Sequence, residues 1–201
     1  LVDMAKDMEK IRLCGKRYYL ETILPKDVTD KYVAWVNDPD VTRFLEVRFG
    51  KSTLASNRSF VKQFDNKVKF LFGIYTSERN VHIGIASLKI NANHNIAEFG
   101  YFLGDKRYWG ENAALEACSL LLEFGFNKIG LRKIWGGAYL TNISAIFNFK
   151  KMGFTQEGRF REHYLDGDTA TDILFFSMFA SEWNKKQSKI KITVFGIEVD
   201  S

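Results

Sequence analysis

Residues 97–117 hold the groups best suited to chemistry. The run "AEFGYFL" (97–103) alternates strictly and so places Glu98 on one face of an expected strand, together with Gly100 and Phe102. A carboxylate there can take a proton from an amine near neutral pH, directly or through water. A solvated strand carboxylate is the competing reading. A few residues on, "RYWGENAALEA" (107–117) passes from an irregular polar run into a helix rich in Ala and Leu. The first N–H groups of a helix have no partners inside it and point outward with the positive end of its dipole, which suits an anion. Gly110 lets backbone approach a ligand closely, and Asn112 is one of the few side-chain-bearing residues that tolerate a left-handed conformation. An ordinary helix cap would use the same residues.

Three more candidates lie further off. His163 has a suitable ordinary pKa, but it falls on a late hairpin, where an exposed or structural role fits as well. Glu46 and Arg48, in "RFLEVRF" (43–49), alternate with apolar residues, so the pair projects into a cleft or forms a surface ion pair.

Positioning these groups requires a mixed architecture. "YYLETIL" (18–24) reads as a strand, and Pro25 opens a helix with Val28, Tyr32, Val33 and Val36 at helical spacing. Two further helical segments, 38–46 and 53–66, complete a helical first quarter. The period then changes to three antiparallel strands, 69–76, 82–90 and 97–103, separated by the turn-like "SERN" and "NANHN". The next helix aligns Ala113, Ala117, Leu120, Leu121 and Phe124 on one face. A strand at 132–140, a short helix closed by Gly153, and a hairpin across Asp166-Gly167-Asp168 follow. The expected class is α/β (α+β), with six to seven strands in a mixed central sheet flanked by helices.

Composition sets the limits. The chain has 201 residues, 46% hydrophobic and 15% aromatic, enough for one domain with a sizeable core. Its net charge of +5 comes from 29 basic and 24 acidic residues that are mixed along the chain, which argues against nucleic acid as a partner. Cys14 and Cys118 have no CxxC spacing, so neither a disulfide framework nor a metal site is indicated, and a reducing cytoplasm fits. No apolar run approaches the roughly 18 to 20 residues that would cross a bilayer. Residues 1–16 read as a flexible or tag-derived lead, and 184–201 as an extension that adds an edge strand or a dimer contact.

Over residues 17–183 the chain resembles the GNAT superfamily of acetyl-CoA-dependent N-acetyltransferases. "WGENAA" lies on that family's phosphate-loop pattern, Q/R-x-x-G-x-G/A, with Trp109 in the Q/R place, Asn112 in the central Gly place and Ala114 in the last. Asn142, Ser144 or Ala145, and Gly153-Phe154 match the "N-x-x-S/A … GF" segment of the ribosomal-protein N-terminal acetyltransferase branch, and "YLDGDTATD" resembles its late hairpin. The resemblance implies acetyl-CoA as co-substrate and no metal. It implies pantetheine along the backbone of Tyr101, Phe102 and Leu103, and pyrophosphate on the loop of Gly110, Glu111, Asn112, Ala113 and Ala114. Asn142 would hydrogen-bond the pantetheine arm and Phe149 would pack against it, unless Phe149 is simply core. It also places Glu98 next to the thioester as general base, with His163 as second candidate, and Glu46, Arg48 and Tyr164 at the acceptor.

The chain departs from the pattern at two positions. Asn112 replaces a glycine, and Phe149 stands where many members carry a tyrosine that protonates the leaving thiolate. The implied acceptor is a small-molecule primary amine, such as an amino sugar or a nucleotide-linked one. Alternatives are a protein N-terminus, or a coenzyme A-binding module without activity.

Overall fold

A computed structural model describes residues 10–187 and 195–199. Among them nine strands form one sheet: β1 (Ile11–Cys14), β2 (Tyr18–Thr22), β3 (Lys69–Thr76), β4 (His82–Asn91), β5 (Ile96–Leu103), β6 (Lys133–Tyr139), β7 (Thr155–Asp166), β8 (Thr169–Phe179) and β9 (Phe195–Val199). The spatial order is β7-β8-β6-β5-β4-β3-β2-β1-β9. The class is the expected one, but nine strands exceed the six to seven read from sequence. Both additions are short and lie at one edge. β1 falls within the segment read as a lead and pairs with β2, and β9 falls within the C-terminal extension and pairs with β1. Residues 1–9 of that lead and 188–194 and 200–201 of that extension lie outside the described residues.

The helices are α1 (Asp30–Val36), α2 (Pro39–Thr42), α3 (Leu54–Val61), α4 (Ala113–Glu123), α5 (Ile143–Met152) and α6 (Ala180–Gln187). Pro25 opens only a three-residue 3-10 turn, and α1 begins five residues later because Thr29 caps it, its hydroxyl accepting from Tyr32 N–H at 3.3 Å. The period-2 alternation of β3 sends Phe70, Phe72 and Ile74 to one face, where they pack with Ala117 and Leu121 of α4 and Phe149 of α5. Leu71 and Ile85 face the other way, into Tyr32, Trp35 and Val36 of α1 and Val61 of α3. Each face of the sheet is thus covered by helices. His82 packs among Tyr32, Trp35 and Tyr75, and burial pushes its pKa down to about 4, so it stays neutral in that core near pH 7.

Candidate active site

The sheet opens at its one parallel pair. β5 and β6 pair only through Ile96–Lys133, Ala97–Ile134 and Glu98–Trp135. Beyond that point Phe99–Leu103 keep their partners on β4, and Gly136–Tyr139 keep theirs on β8. Alternate peptide groups of β5 therefore turn toward a gap instead of toward a neighbouring strand. At its narrow end the strands stay close because Gly136 lacks a side chain; a Cβ there would lie 3.0 Å from Phe99 O and 3.1 Å from Phe149 Cζ.

The loop from β5 to α4 stands at the wide end, with Gly110 at φ +82° and Asn112 at φ +59°. The left-handed conformation read for Asn112 is the one it adopts. Its side chain makes no cap; the first intrahelical bond runs from Glu116 N–H to Asn112 O at 3.0 Å, which leaves the N–H groups of Ala113, Ala114 and Leu115 outside the helical ladder. The loop is latched on both flanks. Lys106 Nζ lies 2.8 Å from Asp38 and 2.6 Å from Asp40, and the Trp109 indole, 45% exposed, donates to Leu103 O at 2.9 Å. On the other flank Arg17 pairs with Glu111 at 3.3 Å, while Glu116 Oε1 accepts from the N–H groups of Arg17 (2.7 Å) and Tyr18 (3.1 Å). Hydrogen bonds from Arg107, then from Lys31, hold the Asp105 carboxyl down to about 2, so it stays ionised at the loop's start.

Asn142 and Phe149 belong to the framework. Asn142 Oδ1 caps α5 by accepting from Ala145 N–H at 3.1 Å. Phe149 is 4% exposed and stacks on Phe176 at 4.5 Å between ring centroids, with Phe99 and Phe154 edge-on at 5.5 and 5.1 Å. An aromatic core thus surrounds the position for which the family resemblance implies a tyrosine hydroxyl in many members.

The remaining candidates fall into two groups. Glu46, Arg48 and Tyr164 meet around Tyr139, which ends β6 and is 5% exposed. Arg48 Nη2 donates to Tyr139 Oη at 3.3 Å and also to Leu165 O, and Tyr139 Oη donates to Glu46 Oε1 at 3.5 Å. Tyr164 stacks on Tyr139 with centroids 5.1 Å apart. Burial raises the Tyr139 pKa, and the nearby Arg48 cation opposes that rise. His163 joins this group, its ring 4.9 Å from that of Tyr164, because the β7–β8 pairing bulges between Phe160 and Tyr164. Asp172 anchors the bulge by accepting from Glu162 N–H at 2.8 Å and from Arg159. Glu98 stands apart. It is exposed at the narrow end of the gap, level with Trp135, and Tyr139 lies four residues further along β6, about 13 Å at the usual strand rise.

Sequence reading missed Tyr139, Arg43 and Asp166. Arg43 reaches the Asp166 carboxylate at 3.0 and 3.3 Å, and Thr141 donates to the same group at 3.0 Å, so the hairpin is fastened to α2 as well as to Arg48. Tyr139 could have been found, since alternation in "KIWGGAY" puts it on the face of Trp135. The other contacts join segments with no sequence signal linking them. Among the described residues no group of three or more His, Cys, Asp and Glu gathers to hold a metal ion, and no helix is long and apolar enough to cross a membrane.

Comparisons with known proteins agree with this geometry. Residues 17–155 match the acetyltransferase (GNAT) domain family. The uncharacterized N-acetyltransferase p20 of Bacillus licheniformis is 26% identical over 153 residues, covering 73% of this chain and 84% of that protein. The spermidine N-acetyltransferase of Vibrio cholerae, solved with CoA and spermine, has the same fold at a TM-score of 0.75 and 17% identity, covering 84% of this chain and 98% of that one. RimL, a ribosomal L7/L12 α-N-protein acetyltransferase solved with coenzyme A, follows at 0.74 and 15%, covering 82% and 95%. The split strand pair and the left-handed loop before α4 fit coenzyme A, offering open strand peptides to its amides and unladdered N–H groups to its phosphates. A family match spanning most of the chain completes the identification: this protein belongs to the GNAT family and is an acetyl-CoA-dependent N-acetyltransferase.

Proposed function

We propose that the protein acetylates the primary amine of a small molecule, an amino sugar or nucleotide-linked amino sugar, within a ternary complex. The observation that carries this reading is the fastening of the hairpin: Arg48 holds Leu165 O and Tyr139, while Arg43 holds Asp166. Two arginines thereby tie β7–β8 to the segment between β2 and β3 and confine the space around Tyr139, which favours a compact acceptor over a polypeptide. A guanidinium there suits an anionic or hydroxyl-rich acceptor, and the Tyr139–Tyr164 stack offers flat apolar surface to a ring. The spermidine enzyme among the structural neighbours takes a polycation; here the carboxylates Glu46 and Asp166 are matched by two arginines, Arg48 and Arg43, so the group offers no acidic excess to such an acceptor.

Acetyl-CoA supplies the activated acetyl group. On this reading, the loop of Trp109, Gly110, Glu111, Asn112, Ala113 and Ala114 receives its phosphates, and the gap edge of Tyr101, Phe102 and Leu103 aligns its arm, with Asn142 at the entry to α5. Glu98, about 13 Å along the strand from Tyr139, takes the amine proton through a chain of water, with His163 of the Tyr139 group the alternative base. Glu46, Arg48 and Tyr164 hold the acceptor.

Arg48 provides the test. Arg48→Met removes charge-assisted hydrogen bonds worth about 1.5–3 kcal/mol. The expected outcome is an acceptor KM raised by roughly 10- to 150-fold with kcat and acetyl-CoA KM little changed, the pattern of lost uniform binding. An unchanged acceptor KM would place the acceptor elsewhere.

A further inference from the structure

Lys151 is exposed near the C-terminus of α5, which packs beside α4. Its ammonium lies 5.6 Å from the centroid of the Phe147 ring, one turn back, and donates to Asn112 Oδ1 at 3.2 Å. Asn112 is the residue on which the loop turns into α4. A cation from a separate helix, 39 residues on, is thus held beside the unladdered N–H groups of Ala113, Ala114 and Leu115.

We propose that Lys151 is a direct ligand of the coenzyme A pyrophosphate, with Asn112 as the residue that positions it. The inference rests on reading the 109–114 loop as the phosphate site. N–H groups are neutral donors, whereas pyrophosphate is a dianion, and a charge-assisted hydrogen bond is roughly twice as strong as a neutral one. An ammonium carries three donors and a full charge, so it can hold Asn112 and a phosphate oxygen together. Arg17, the cation on the other flank, is already paired with Glu111, and Glu116 brings a second carboxylate to the same helix start, which leaves Lys151 to supply positive charge to a phosphate. This gives Asn112 a purpose that glycine could not serve. Both residues adopt a left-handed conformation, but only asparagine offers a side-chain oxygen to tether the lysine.

Calorimetric binding to the intact protein tests this with coenzyme A, dephospho-coenzyme A and pantetheine. Lys151→Met keeps much of the side chain's aliphatic length and removes the ammonium that lies over Phe147 and beside Asn112. It should weaken coenzyme A and dephospho-coenzyme A equally, by about tenfold. Lys151→Arg should restore most of that affinity, and pantetheine binding should be the same in all three proteins. Unchanged affinity in Lys151→Met overturns the proposal. So does a loss confined to coenzyme A, which would put Lys151 on the 3′-phosphate, or an equal loss for pantetheine, which would make its role structural. Gly110→Val separates the two claims. If it leaves dephospho-coenzyme A affinity intact, the loop reading fails; if it weakens that affinity while Lys151→Met does not, the lysine assignment alone fails.

Discussion

Glu98→Gln is expected to lower turnover by roughly 10²- to 10⁴-fold near neutral pH, the usual contribution of a positioned general base. Glutamine keeps the shape of the side chain and removes its basicity, and position 98 is exposed, so the fold should be unaffected. Acetyl-CoA binding should barely change. The deficit should shrink as pH approaches the acceptor's own pKa, because more amine then arrives neutral and needs no base. His163→Gln is the necessary comparison. The structure places His163 beside Tyr164 in the group around Tyr139, while Glu98 lies at the opposite end of the gap. If Glu98→Gln keeps wild-type turnover across that pH range and His163→Gln loses it, the hairpin histidine is the base. If both retain it, water or the acceptor disposes of the proton.

Gly110→Val is expected to weaken coenzyme A binding by roughly 5- to 150-fold. A Cβ at Gly110 meets no protein atom within 4 Å, so to crowding of the bound cofactor a conformational cost is added. At φ +82° a β-branched residue carries about 1–3 kcal/mol of backbone strain, which the loop can escape only by turning its N–H groups away from the ligand. Gly110→Asn should therefore bind much better than Gly110→Val, since asparagine tolerates this region, and the melting temperatures of the two variants should be similar. Equal affinity for wild type and the valine variant, measured by calorimetry, would remove the loop from the cofactor site.

Where local pattern decides structure, the sequence is informative. β3, β4 and β5 announce themselves by alternation, and the left-handed turn at Asn112 follows from a polar loop running into an Ala-rich helix. The short β1 carries no such pattern, since its four residues are too few for a period to emerge from a charged lead, whereas β9 falls in the extension for which an edge strand is one of the two readings. Pro25 misleads because a proline opens a 3-10 turn as readily as an α-helix, and the Thr29 cap wins. The loop proposed for the cofactor is contiguous, so its chemistry is legible in one stretch. The group proposed for the acceptor is not, because Glu46 and Tyr139 are 93 residues apart and Arg48 and Leu165 117 apart, joined only by the folded sheet. Grouping Glu46, Arg48 and Tyr164 was possible from the family resemblance, but Tyr139, the residue that connects them, emerges from the structure.

Thiol release from acetyl-CoA, followed with a panel of amino sugars, nucleotide-linked amino sugars, spermidine and ribosomal-protein N-terminal peptides, tests the account most directly. Turnover is expected with a sugar or nucleotide-linked amine, saturable in both substrates, and strongly reduced in Arg48→Met and Glu98→Gln. Turnover confined to spermidine or to the peptides would contradict the acceptor assignment and with it the role given to the space around Tyr139.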